Sequence, residues 1–286
     1  MKRRDAPLIV FGAPRSGTTY VEQILNHHPD ILVTHEARIF AWLHQSLKLN
    51  TVDDMLVLTG RREFVKYLKS HLPDVVRGYY KSMAPKAMFW GDKNPHYVYL
   101  SGCLDTILEL FPSSLFLHVI RDGRDVVASL VRKRTAKGVP WTDFAGAHRV
   151  WSVAVDVGTR FGATVPLGQY IEMRYEKLVA DDAAEARRVF DELGIPWDAG
   201  VEAFCRAQSE CRTPFKDPTR DLALGPTGSD WRTIFTAEEQ LRSLELLGRI
   251  LVSLGYESEQ SLARAVAETG DAPAKKAYGA TGRIAS

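Results

Sequence analysis

PLIVFGAPRSGTTYVEQILNHH, residues 7–28, decides the fold. The apolar run Leu8-Ile9-Val10-Phe11 stops at Gly12, and residues 13–19 form a turn. Beyond it Val21, Ile24, Leu25 and His28 recur at helical spacing, so the segment reads as strand, glycine-containing loop and helix. Such a turn aims successive backbone N–H groups, and the positive end of a helix, at one point, which suits a phosphate or sulfate. Gly12 and Gly17 supply the backbone freedom and close approach that a side chain would block. The spacing Gly12-x4-Gly17 matches the first half of a nucleotide-binding P-loop, but Thr18 stands where that motif needs its lysine. Without that charge on the β- and γ-phosphates, hydrolysis of ATP or GTP is disfavoured. Arg15 offers a planar guanidinium to the same anion. A generic P-loop nucleotide binder stays open on this loop alone.

Working outward, apolar strand-like runs alternate with helical patterns. Residues 31–33, 88–90, 115–120 and 169–175 read as strands. Residues 39–49, 51–72, 97–111, 144–161 and 182–193 read as helices, the last closed by Gly194 with Pro196 beyond. A further helix opens at Arg121-Asp122-Gly123-Arg124-Asp125 and carries Val126, Val127, Leu130 and Val131 into the basic end 132–134. Residues 211–229, rich in Pro, Gly, Asp and Thr, read as a long loop, and Thr236-Ala237-Glu238-Glu239 as a capping box opening a helix to about residue 254. The alternation predicts an α/β fold, P-loop-like and three-layered, with a central parallel sheet of about five strands flanked by helices. One domain is expected over residues 1–268, with a flexible tail at 269–286. In such a sheet, polar residues just past apolar runs gather at one edge. Those residues are the first loop, Glu36 with Arg38, Lys93, and Arg121.

The 286 residues are 45% hydrophobic and 25% charged, with a net charge of +2. That is ordinary globular material without the field a nucleic-acid partner would need. Cys103, Cys205 and Cys211 are odd in number and show no CxxC spacing, which argues against a disulfide framework and a zinc site. No stretch reads as a signal peptide or approaches a membrane span, so a cytoplasmic setting with no membrane partner is expected.

Gly12-Ala13-Pro14-Arg15-Ser16-Gly17-Thr18-Thr19 resembles the 5′-phosphosulfate loop of the sulfotransferases that use 3′-phosphoadenosine-5′-phosphosulfate (PAPS) and release 3′-phosphoadenosine-5′-phosphate (PAP). The resemblance implies a metal-independent P-loop-like enzyme. It places Arg15, Ser16, Gly17, Thr18 and Thr19 on the donor, with Arg15 also a catalytic residue that stabilises the transition state alongside Lys93. Val119-Ile120-Arg121 through Ser129 resembles the 3′-phosphate segment of the same family, with Arg121 and Ser129 as its contacts. His28-Pro29-Asp30 through His35-Glu36-Ala37-Arg38 resembles the HPD…GEETR segment of the protein-tyrosine sulfotransferases. That assigns Glu36 as base and Arg38 as its assistant. His35 stands where that group has another acid, and His96 follows Lys93 as a histidine base does in cytosolic small-molecule members, so both stay as alternative bases. Lys93, in Gly91-Asp92-Lys93-Asn94-Pro95, resembles the lysine that donates to the transferring group. Tyr175 matches a tyrosine that contacts the adenosine. Residues 227–232, with Thr227, Ser229 and Trp231, resemble the C-terminal cofactor loop, although Leu224-Gly225-Pro226 replaces its basic residues. The implied partner is a small-molecule or peptide hydroxyl acceptor, and a homodimer is left open. Trp42, Tyr79, Tyr80, Trp141 and Trp151 are candidates for an acceptor pocket or for core. The rival readings are a P-loop kinase or NTPase and a non-catalytic adenosine-nucleotide binder.

Overall fold

The computed structural model describes residues 6–48, 59–132, 143–211, 215–217, 222–224 and 230–269. The chain divides into two compact units, one through residue 229 and one from Asp230.

In the first unit every residue of β1 (Ala6–Gly12) is buried, as expected of a strand covered on both faces. The chain continues through α1 (Thr18–Asn26), β2 (Ile31–His35), α2 (Ile39–Lys48), α3 (Thr59–Met83), β3 (Phe89–Lys93), a 3₁₀ turn (Pro95–Tyr99), α4 (Cys103–Leu110) and β4 (Leu115–Ile120). Then come α5 (Gly123–Arg132), α6 (Phe144–Gly162), β5 (Tyr170–Arg174), α7 (Tyr175–Ala180), α8 (Asp182–Leu193), α9 (Ala199–Cys211) and the short pair β6 (Phe215–Asp217) and β7 (Leu222–Leu224). β1 to β5 form a sheet in the order β2-β3-β1-β4-β5, and each neighbouring pair is parallel. The expected five-stranded parallel sheet is therefore the observed one. β1 lies between β3 and β4, so the chain reverses its direction of travel across the sheet there. The loops leaving β1 and β4 part to opposite sides of that point, which opens a crevice at the strands' C-terminal ends.

Alternation along the strands fills both faces. Leu8, Val10, Leu115, Leu117, Val119, Ile171 and Met173 pack with Val21, Ile24 and Leu25 of α1 and Val189, Phe190 and Leu193 of α8. On the other face Phe11 stacks on His118 at 4.7 Å, Phe116 meets Phe161 of α6, and Trp90 stacks on Tyr80 of α3. Tyr80 and Trp151 are thus core, whereas Trp42 and Tyr79 are exposed. Trp141 lies outside the described residues.

His118 has no exposure at all, and its Nδ1 contacts the Tyr170 hydroxyl at 2.7 Å. Burial pushes the imidazole down from 6.5 to about 3, with Arg174 acting in the same direction. Between these two values the unfolded chain takes up a proton that the folded one refuses. Stability is therefore fully present above about pH 6.5 and falls as pH drops, by up to about 1.4 kcal/mol per unit. Urea unfolding of wild type at pH 7 and pH 5 should show a loss about 2 kcal/mol larger than that of His118→Gln. Equal losses would show that this residue does not set the acid sensitivity.

Three elements differ from the sequence expectation. Residues 97–111 are not one helix: Leu100 takes an extended backbone, and Gly102 at φ 79° starts α4 afresh. α3 runs on to Met83 through Pro73, although proline lacks the N–H its turn would use. The buried Val76 and Tyr80 anchor the part beyond it. Inside the stretch expected to be loop, Phe215–Asp217 and Leu222–Leu224 pair antiparallel; most of that stretch, like the tail 270–286, lies outside the described residues.

The second unit holds α10 (Trp231–Ile234), α11 (Ala237–Ser253) and α12 (Glu259–Thr269). Thr236 and Glu239 form the expected capping box, and Leu262 of α12 packs on Gly248 of α11. Among the described residues no helix is long and apolar enough to cross a membrane, and Cys103 and Cys205 are buried and free.

Candidate active site

The loop after β1 is a tight turn that ends at the start of α1. Ser16 N–H and Oγ both donate to the Ala13 carbonyl, at 3.1 and 2.6 Å, tightening the turn. Gly17 caps α1 at φ 96° with no side-chain cap, so the first N–H groups of Thr18 and Thr19 are left to a ligand. A Cβ on Gly17 would stand 2.3 Å from the Tyr175 ring. Only glycine satisfies both the backbone angle and that approach.

Three further parts converge on this loop. Arg15 Nε donates to Ser129 Oγ of α5 at 3.0 Å. Arg121, at the end of β4, donates from Nη1 to the Arg15 carbonyl at 3.2 Å and lies 4.4 Å above the Tyr175 ring. Arg121 is itself held in place. Its carbonyl accepts from the Trp151 indole at 3.0 Å, and the following Asp122 accepts from Arg124 and donates its N–H to Glu176. Burial and the like charge of Arg121 push the Arg15 guanidinium down, while burial pushes the Tyr175 phenol up. Two guanidinium groups crowd together; Asp125 stands 3.9 Å from Arg121 Nη2, and the buried Arg121 Nε has no hydrogen-bond partner among the described residues, so a bound anion would relieve the site. The residues present therefore fit a doubly anionic nucleotide.

A second cluster lies at the ends of β2 and β3, where His35 and Lys93 are register partners. Lys93 has no exposure, and its Nζ sits 3.0 Å from Glu36 Oε1 and 3.6 Å from Glu22 Oε2. His35 Nδ1 lies 2.7 Å from Glu22 Oε2, and its Nε2 lies 4.0 Å from Glu36 Oε1. Burial lowers the half-buried His96 imidazole; Glu36 opposes that shift, and Arg38 and Lys93 reinforce it. The turn bearing Glu36 and Arg38 is clamped by Asp92, a residue the sequence reading gave no role. Its carboxylate accepts from Thr34 Oγ1 (2.8 Å), Ala37 N–H (3.0 Å), Arg38 N–H (3.3 Å) and Tyr97 OH (2.5 Å). Burial raises the Asp92 carboxyl against the pull of those four bonds.

Among the described residues the non-glycine positions with positive φ are Arg15 (75°), Glu36 (50°) and Arg38 (58°). That conformation costs about 1–3 kcal/mol each and persists only where the surrounding structure over-determines it. All three were candidates from sequence. The structure thus gathers Arg15, Ser16, Gly17, Thr18, Thr19, Arg121, Ser129 and Tyr175 around the ends of β1 and β4, and Glu36 and Lys93 at the adjoining strand ends, with Arg38 and His96 around them. Thr227 and Ser229 lie outside the described residues. Trp231 belongs to the second unit, where Asp230 caps its helix and Arg232 lies 4.5 Å over its ring. Glu22 was missed, although a carboxylate between Val21 and Ile24 on the apolar face of α1 is the signal that could have found it.

These features agree with what the chain is similar to. Protein-tyrosine sulfotransferase A of Caenorhabditis elegans is 29% identical over 208 residues, 69% of this chain and 52% of that protein. The chain thus spans about half the length of that curated relative. The sulfotransferase domain from the Synechococcus PCC 7002 olefin synthase superposes with a TM-score of 0.59 at 22% identity, covering 86% of this chain and 95% of that domain. Mouse sulfotransferase SULT7A1, solved in complex with PAP, gives a TM-score of 0.51 at 14% identity, covering 95% and 90%; both likenesses concern the fold. The family model described as the sulfotransferase family matches residues 7–199, from the start of β1 to the start of α9, and the chain belongs to that family.

Proposed function

We propose that this protein is a PAPS-dependent sulfotransferase that moves the sulfuryl group to a hydroxyl acceptor by in-line displacement. The acceptor oxygen forms a bond to sulfur, the bond from sulfur to the 5′-phosphate oxygen breaks, and Glu36 takes the hydroxyl proton. Bound PAPS supplies the activated sulfuryl group; the chain's own residues bind, orient and neutralise. In this reading the first loop, with Arg15, cradles the 5′-phosphosulfate, and Arg121 and Ser129 hold the 3′-phosphate. Tyr175 packs against the nucleoside, and Lys93 offers its ammonium where negative charge develops. Arg38 assists on the acceptor side. The positive charge comes from Arg15, Arg121 and Lys93, so the reading requires no metal. The free buried thiols of Cys103 and Cys205 suit the reducing cytoplasm that belongs to it.

The observation that carries the proposal is the crowding of two arginines around an uncapped helix start, beside a carboxylate already paired with a buried lysine 3.0 Å away. Family membership, and a structural neighbour solved with PAP, support the same donor. The name of the nematode relative favours a phenol or a peptide tyrosine as acceptor.

Titration calorimetry with PAP against Mg²⁺-ATP tests the donor, and labelled PAPS offered with phenols, alcohols, sugars and tyrosine peptides tests the reaction. PAP should bind at least about 100-fold more tightly than ATP, a gap of about 2.7 kcal/mol, and label should pass to at least one phenolic acceptor. Mg²⁺-dependent ATP turnover, or absence of PAP binding, would overturn the reading in favour of an NTPase. PAP binding without transfer to any acceptor would leave a nucleotide-binding protein.

A further inference from the structure

Glu22 stands on the inward face of α1 beside Thr18, Val21, Ile24 and Leu25, and its side chain is 9% exposed. A carboxylate in such a place is costly unless its charge is matched. The Lys93 ammonium supplies the counter-charge, with Nζ at 3.6 Å, and His35 Nδ1 adds a contact at 2.7 Å.

The two contacts have separate consequences. Lys93 is shut away from water and faces two carboxylates, Glu36 at 3.0 Å and Glu22 at 3.6 Å. When Glu36 takes the acceptor's proton it becomes neutral, and its share of the pairing disappears at that moment. Without a second carboxylate beside it, the buried ammonium would lose its pairing at that moment and raise the barrier to that very step; Glu22 keeps the pairing. The second consequence concerns His35. An ionised carboxylate only accepts hydrogen bonds, so His35 Nδ1 donates to Glu22, and Nε2 is the atom turned to Glu36, at 4.0 Å.

We propose that Glu22 is a positioning residue for proton transfer to Glu36, holding the charge of Lys93 paired as Glu36 is protonated and fixing His35 with Nε2 towards it. This inference rests on the sulfuryl-transfer reading. The charged and titratable groups around Glu36 include Glu22 from α1, His35 from β2, Lys93 and Asp92 from β3, Arg38 from its own turn, and His96 from the 3₁₀ turn.

Glu22→Gln keeps the shape and removes the charge. Its kcat should fall about 10- to 100-fold, the range expected for loss of one well-placed electrostatic partner, with PAP affinity unchanged. The acid limb of its pH profile for kcat/KM should move to lower pH by about one unit, because removing a negative charge makes proton uptake by Glu36 less favourable. Glu22→Asp, which keeps the charge on a shorter arm, should lose less in kcat and leave the limb in place. Unchanged kcat, or a fall in thermal stability with the limb unmoved, overturns the inference. If Glu22→Gln does not fold, Glu22→Asp decides: several-fold lower kcat with an unmoved limb supports it, and unchanged kcat overturns it. Failure of the wild-type protein to bind PAP or transfer label removes the sulfuryl-transfer reading itself. Wild-type binding and transfer with an unaffected Glu22→Gln removes this inference alone.

Discussion

Glu36→Gln is expected to lower kcat by about 10³-fold, within the range general base catalysis supplies, while PAP affinity stays within about two-fold of wild type. Gln fills the same volume, and its amide oxygen still accepts from Lys93 Nζ, so the clamp by Asp92 on Ala37 and Arg38 and the left-handed turn survive. Lys93 keeps Glu22 as counter-charge, so the buried ammonium is not orphaned. The cradle around Arg15, Ser129 and Arg121 is made by other strand ends, which is why donor affinity should not follow. Single-turnover transfer to the best acceptor, beside a PAP titration, checks both halves. A kcat within about five-fold of wild type would take Glu36 out of the chemistry and turn attention to His35 and His96. A parallel collapse of PAP binding would make the residue structural.

The second large effect is expected at Arg121. Arg121→Ala removes the guanidinium above the Tyr175 ring, the donor to the Arg15 carbonyl, and the buried Nε that has no hydrogen-bond partner among the described residues. PAP affinity should fall by about 10²- to 10³-fold, as expected for losing charge-assisted hydrogen bonds to a phosphate. The folded protein should lose little, about 1 kcal/mol or less, because the same change relieves the like charge pressing on Arg15. Arg121→Lys should not restore binding, since an ammonium neither stacks on the ring nor forks to two oxygens. Calorimetry paired with urea unfolding separates the two quantities. A stability loss of several kcal/mol with PAP affinity unchanged would assign Arg121 to the scaffold.

Both effects come from residues that sit just past apolar runs, and that is why they were legible. An apolar strand must end where its polar neighbours begin, and a parallel sheet brings those ends to one edge. Gly17, Arg15, Lys93 and Arg121 carry that logic locally, as does the cap pattern at Thr236. The elements that misled were decided by one backbone conformation in the first case and by packing in the second. The apolar spacing of residues 97–111 promised one helix, but Gly102 in a left-handed conformation restarts it at α4. α3 continues through Pro73 with Val76 and Tyr80 buried beyond it, because packing outweighs one missing hydrogen bond.

The sequence by itself determined the strand–loop–helix start, the parallel α/β class, and the place of Arg15 and Arg121 just past apolar strands. Each follows from local pattern: period, glycine placement, and the abrupt change from apolar to charged residues. Only the tertiary structure decided what those charges face. That Glu22 meets His35 and Lys93, that Asp92 clamps the turn of Glu36 and Arg38, and that Arg121 lies over Tyr175 are contacts between residues far apart in the chain. Their strength comes from burial, and burial is a property of the packed whole that no local run of residues encodes.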